Sequence, residues 1–111
     1  MKLPQDSVIS ETKLREYLLS PRTEDDKSGF LASAGYGPTH WRQLETDLRQ
    51  LIQNQDAELL RTTQYGDLYR VAGRLVGPNS RALNVVTIWI TLSLNGETRF
   101  VTLVPDKEAR Q

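Results

Sequence analysis

The apolar residues change their period once along the chain, close to Asn54. Ahead of that point the spacing is helical. Leu14 and Leu18 lie four apart with Tyr17 beside them, so the three share one helix face. Ser10 suits the N-cap of this helix, and Ser20-Pro21 ends it, because a residue before proline is pushed out of helical dihedrals. A second helix is expected from Thr23. Glu24, Asp25 and Asp26 would face its positive end, Phe30, Leu31 and Ala34 would form its apolar side, and Gly35 would stop it. Trp41, Leu44, Leu48, Leu51 and Ile52, with charged residues between them, predict a third and strongly amphipathic helix over residues 39–53. Residues 1–9 lead in as an extended arm.

Past Asn54 the pattern alternates. Strands are expected over residues 58–63, 68–76, 84–94 and 98–104. Tyr65-Gly66-Asp67, Gly77-Pro78-Asn79-Ser80 and Asn95-Gly96 supply the turns. The expected fold is therefore α+β, with three N-terminal helices packed on one face of a four-stranded antiparallel meander sheet. It forms one domain over residues 1–105, with 106–111 as a polar C-terminal tail.

Alternation also assigns the two faces of the sheet. In the third strand Val86, Ile88, Ile90 and Leu92 point one way, and Val85, Thr87, Trp89 and Thr91 point the other. The first set is purely aliphatic and is expected to meet the helices. The outer face then gathers Arg70, Arg74, Thr87, Trp89, Thr91, Phe100 and Thr102, with no acid among them. Arginines beside exposed aromatics suit single-stranded nucleic acid. The same residues also fit an ordinary solvated sheet face, with Trp89 tucked under a loop or under the arm.

Composition narrows the chemistry. The 111 residues carry 14 Lys+Arg against 14 Asp+Glu, yet the strands are locally basic. Between Arg61 and Arg99 the basic residues are Arg61, Arg70, Arg74, Arg81 and Arg99 against only Asp67 and Glu97, and five minus two leaves three positive charges. The absence of cysteine excludes disulfides, thiolate metal sites and a cysteine nucleophile, and the single His40 excludes a histidine pair. Beside Trp41 at a helix start, His40 reads as a surface or capping residue. No phosphate-cradling glycine loop is present, so no cofactor and no metal are expected. No apolar run approaches the ~18 residues of a membrane span, and the expected setting is the cytoplasm.

The order and spacing of several short motifs carry a resemblance over residues 8–105. They are Lys13-Leu14-x-x-Tyr17-Leu18-Leu19-Ser20-Pro21, Lys27-x-x-Phe30, Gly35-Tyr36 and Trp41-x-x-Leu44. Tyr65-Gly66-x-x-Tyr69-x-Val71-x-Gly73, Val86-Thr87-x-Trp89-Ile90 and Val101-Thr102-Leu103 ahead of Pro105 follow. Together they resemble a small bacterial domain family of unknown function. That family is similar in turn to the C-terminal tRNA-nuclease domains of contact-dependent growth-inhibition and polymorphic toxins.

The resemblance implies a ribonuclease-toxin-like fold and metal-independent RNA cleavage, in which a 2′-hydroxyl attacks its own phosphate. It implies catalytic roles for Lys27, Thr87 and Thr102 and tRNA or another RNA as partner, while the outer-face reading gives Arg70, Arg74, Trp89 and Phe100 as the RNA contacts. The toxins carry a His-Pro-x-Gly stretch before the lysine, where this chain has Arg22-Thr23-Glu24-Asp25-Asp26. Two functions stay open on this basis: an RNA-directed domain, active or inactive, and a non-catalytic module that binds a small immunity-type protein or a second copy of itself.

Overall fold

A computed structural model describes residues 1–23 and 26–108; Glu24, Asp25 and residues 109–111, and with them most of the expected acidic helix start, lie outside the described residues. A π-helix, Lys13–Leu18, comes first, followed by the short helix α1, Ser28–Ala32. A 3-10 turn, Pro38–His40, leads into the long helix α2, Trp41–Asn54. The strands are β1 (Glu58–Thr62), β2 (Gly66–Val76), β3 (Ala82–Leu92) and β4 (Thr98–Pro105). They form one antiparallel sheet in the order β1-β2-β3-β4, the expected meander. Among the described residues no helix is long and apolar enough to cross a membrane.

The amphipathic stripe of α2 behaves as its spacing requires, and Leu44, Leu48, Leu51 and Ile52 are all buried. Ahead of it the Gly37 N–H donates to His40 Nδ1 at 2.9 Å, so the lone histidine is a capping residue. The first helix departs from expectation in its winding. The Leu19 N–H reaches back five residues to the Leu14 carbonyl at 2.9 Å, and in this wider turn Leu14, Leu18 and Leu19 are all buried. The second helix starts at Ser28, five residues later than Thr23. The Asp26 carboxylate sets that start by accepting the Ser28 N–H at 2.9 Å and the Ser28 hydroxyl at 2.6 Å. Those two bonds hold the Asp26 carboxyl below its usual pKa.

Two glycines let the end of α1 meet the β2–β3 turn. Gly35 takes φ +92°, and a Cβ on Gly77 would stand 2.0 Å from the Ala34 carbonyl oxygen. Asn79 closes the contact, its backbone N–H donating to Ala34 and its side-chain amide to Ser33. The arm also docks. Val8 accepts from the Phe100 N–H and donates to the Thr98 carbonyl, which covers the start of the β4 edge.

The expected assignment of the sheet faces is inverted on β3 and at Phe100, whereas Val71, Leu75 and Leu103 face in and Arg70 and Thr102 face out as expected. Val85, Thr87 and Trp89 are buried with Val71, Leu75 and Leu103 against the helices, whereas Val86, Ile88 and Ile90 are only partly buried on the outer face. Trp89 and Phe100 therefore do not stand on an open face; they meet edge to face in the core, with ring centroids 5.2 Å apart. The reason lies in size and in hydrogen bonding. Trp89 and Phe100 each bury roughly 150–250 Å² of largely apolar surface. The polar atoms that accompany it are satisfied internally: the Trp89 indole N–H donates to Thr87 Oγ1 at 2.8 Å, and the Thr87 hydroxyl donates to the Val71 carbonyl at 2.8 Å.

Tyr36 makes a second buried polar tie. Its hydroxyl donates to Asp47 on α2 at 2.5 Å and to the Val76 carbonyl at the end of β2 at 3.3 Å. Burial, then the Asp47 carboxylate, pushes the phenol pKa above its usual range. Burial also pushes Asp47 up, against the opposing pull of the Tyr36 hydrogen bond.

Two outcomes follow. Thr87→Val leaves the Trp89 N–H without a partner and is expected to cost about 1–3 kcal/mol in urea unfolding, with Trp89→Phe in the same chain recovering part of the loss. For Asp47, the folded chain holds the carboxyl proton to higher pH than the unfolded chain does. Relative to Asp47→Asn, the wild type is expected to lose stability as pH rises from the ordinary value of 3.8 through the raised folded value. Urea midpoints of both proteins across that range measure the difference.

Candidate functional site

A cavity of about 360 Å³ opens where the π-helix, the segment before α1 and the β4 edge meet. Lys13, Tyr17, Leu18, Arg22, Lys27, Val101 and Thr102 line it. Each arrives for a local reason. Lys13 and Tyr17 lie four apart on the π-helix, flanking the buried Leu14 and Leu18, so both side chains emerge beside the core. Arg22 follows the Ser20-Pro21 break and sets its guanidinium over the Tyr17 ring, 4.6 Å from the centroid. Lys27 occupies the N-cap position of α1, where Asp26 supplies the side-chain hydrogen bonds to Ser28. The Lys27 ammonium is left to donate to Thr102 Oγ1 at 3.3 Å.

Thr102 follows an irregularity in β4. Ile88 pairs with Thr102 and Trp89 pairs with Phe100, so Val101 is an extra residue in the ladder. Phe100 ends in the core while Thr102 turns to the cavity. The backbone bonds from the arm to β4 reach Thr98 and Phe100, and the cavity begins at Val101.

The described lining of the site is basic. Three cationic side chains converge, and none of the described lining residues is acidic. Burial holds the Lys13 ammonium below its usual pKa. Among the described residues no group of three His, Cys, Asp or Glu side chains is placed to hold a metal ion. The groups present offer cationic stabilisation, a hydroxyl donor and one amine shifted toward its neutral form.

The structure brings together two of the three expected catalytic residues, Lys27 and Thr102. It removes the third: Thr87 is fully buried in the core and spent on Trp89 and Val71. Of the expected RNA-contacting residues, Trp89 and Phe100 are core residues. Arg70 lies on the outer face, in the row Arg70–Ile88–Thr102, with Glu58 at 3.5 Å. Arg74 is exposed farther along β2, beside a smaller pocket with Asp47 and Gln50. Lys13, Tyr17 and Arg22 escaped the sequence reading. The Lys13/Tyr17 spacing was visible, but nothing in the sequence places the π-helix against β4.

The fold is thus an α+β domain with helices on one side of an antiparallel meander and a basic cavity at the β4 edge. The chain belongs to the domain of unknown function family DUF6883, whose match spans residues 2–107. The fold is also similar to a chain in the contact-dependent growth inhibition toxin–immunity protein complex from Klebsiella pneumoniae 342. The two share a TM-score of 0.71 and 19% identity over 90% of this chain and 100% of that one. No curated protein matches the chain by sequence. The resemblance noted from the motifs therefore holds, both to a family of unknown function and to a fold found in a growth-inhibition system.

Lys13 offers a direct check on the cavity. In competitive labelling with an amine-directed acylating reagent, its reactivity is expected to rise at lower pH than that of a lysine in a short reference peptide. Coincident pH profiles would show an ordinary surface lysine.

Proposed function

We propose that the chain is an RNA-directed domain of the toxin-nuclease type, with the Lys13–Arg22–Lys27–Thr102 cavity as its phosphate site. The observation that carries this reading is the convergence of three cations and a hydroxyl from three separate elements on one cavity. Arginine and lysine together suit a phosphate, the first as a planar fork and the second as a point charge. Arg70, one strand beyond Ile88 from Thr102, extends the basic surface along the sheet. The chemistry of such a site is metal-independent. The 2′-hydroxyl attacks the adjacent phosphorus and gives up its proton to water. Arg22 and Lys27 offset the charge on the phosphorane, the bond to the 5′-oxygen breaks, and water protonates the leaving oxygen. A 2′,3′-cyclic phosphate remains.

A second reading has its own support. Ala72, Val86 and Ile88 are partly buried on the outer sheet face, and Val104 is exposed beside them. Such a face suits a protein partner, either a small immunity-type protein, as in the complex that the fold resembles, or a second copy of the chain.

Gel retardation of tRNA separates the two. The expected result is a shift at low salt that fades as salt rises. Lys27→Met and Arg22→Met should each flatten the slope of log K against log salt by about 0.7–0.9. Denaturing gels of the same mixtures report cleavage, with Lys13→Met reducing any cut product. No shift at low salt would overturn the RNA reading and favour the protein-binding one.

A further inference from the structure

We propose that the cavity is a subsite for a mononucleotide carrying a phosphate monoester, the group found at the end of an RNA strand. This rests on the anion-binding reading above and adds the class of ligand. Charge is the first argument. A diester within a strand brings one negative charge, whereas a monoester brings nearly two near neutral pH, since its second ionisation lies near ~6. Lys13, Arg22 and Lys27 on one cavity match the second better than the first.

Size and shape are the second argument. About 360 Å³ falls within the ~300–1,000 Å³ of small-molecule sites and exceeds what a bare phosphate fills. The Tyr17 ring supplies a surface for the remainder. It is 49% exposed although the Arg22 guanidinium covers one of its faces, so the open area is the other face and the edge. A base laid on that face would complete a three-layer stack of Arg22, Tyr17 and base beside the cavity that Lys27 and Thr102 also line.

Calorimetric titration of the full chain at low salt tests the proposal with four probes: inorganic phosphate, adenosine, adenosine 3′-monophosphate and adenosine 5′-monophosphate. The monophosphates are expected to bind more tightly than phosphate and adenosine not at all. Whichever monophosphate is preferred identifies the strand end. Affinity should rise from pH 5 to pH 7 as the monoester takes its second charge. Lys27→Met or Arg22→Met should weaken the nucleotides about tenfold. Tyr17→Leu should erase their advantage over phosphate while Tyr17→Phe keeps it, and circular dichroism of each variant confirms that it is folded. The dinucleotide ApA, which has only a diester, binding as well as a monophosphate would overturn the monoester assignment. Monophosphates that fail to bind while tRNA is still retarded would overturn this inference and leave the RNA reading standing. Failure of both would remove the two together.

Discussion

A tryptophan indole can lie fully inside a small domain only if its N–H finds an acceptor there, and in this fold the acceptor is the hydroxyl two residues earlier on the same strand. Thr87 receives the Trp89 proton and hands its own to Val71 on the neighbouring strand, so a polar chain crosses from β3 to β2 within the core. That chain decides which side of the sheet meets the helices. Because side chains alternate strictly along a strand, fixing one residue fixes the rest. Val85 goes in with Thr87 and Trp89, Phe100 and Leu103 pack beside them, and the aliphatic row of Val86, Ile88 and Ile90 is left outside.

The period of the sequence revealed the order of elements and the strand ends to within a few residues, because helical and alternating patterns differ where one side is buried. It did not reveal which side. Both faces of β3 are apolar enough to be buried, and a count of aliphatic residues favours the wrong one. The deciding quantity was an internal hydrogen bond between residues 87 and 89, whose spacing was in view but whose meaning depends on the interior. The start of α1 was misplaced for a similar reason. Three consecutive acids all suit a helix N-terminus, and only geometry shows that Asp26 caps Ser28.

The candidate site was half legible. Lys27 and Thr102 lie 75 residues apart in sequence and meet at 3.3 Å. Motif resemblance named both, while periodicity alone would have joined neither. The other cavity residues were hidden because their partnership is tertiary. Lys13 and Tyr17 belong to a helix whose apolar stripe is ordinary, and Arg22 sits in a loop. Their common chemistry appears only when the stripe is buried and the flanking side chains are left at the rim beside β4. The electrostatic character of the site is likewise local. A chain with no net charge concentrates three cations at one cavity, and it seats the Asp26 carboxylate on Ser28.

The additional residue at Val101 puts β4 out of step with β3. Upstream of it the strand serves the interior through Phe100; downstream it serves the rim through Thr102. Core packing and ligand chemistry are thereby uncoupled along a single strand, since the hydroxyl can be exchanged without disturbing the aromatic pair. The frame in which the two halves are counted is held by one position, so loss of that residue would make β4 choose between its two duties.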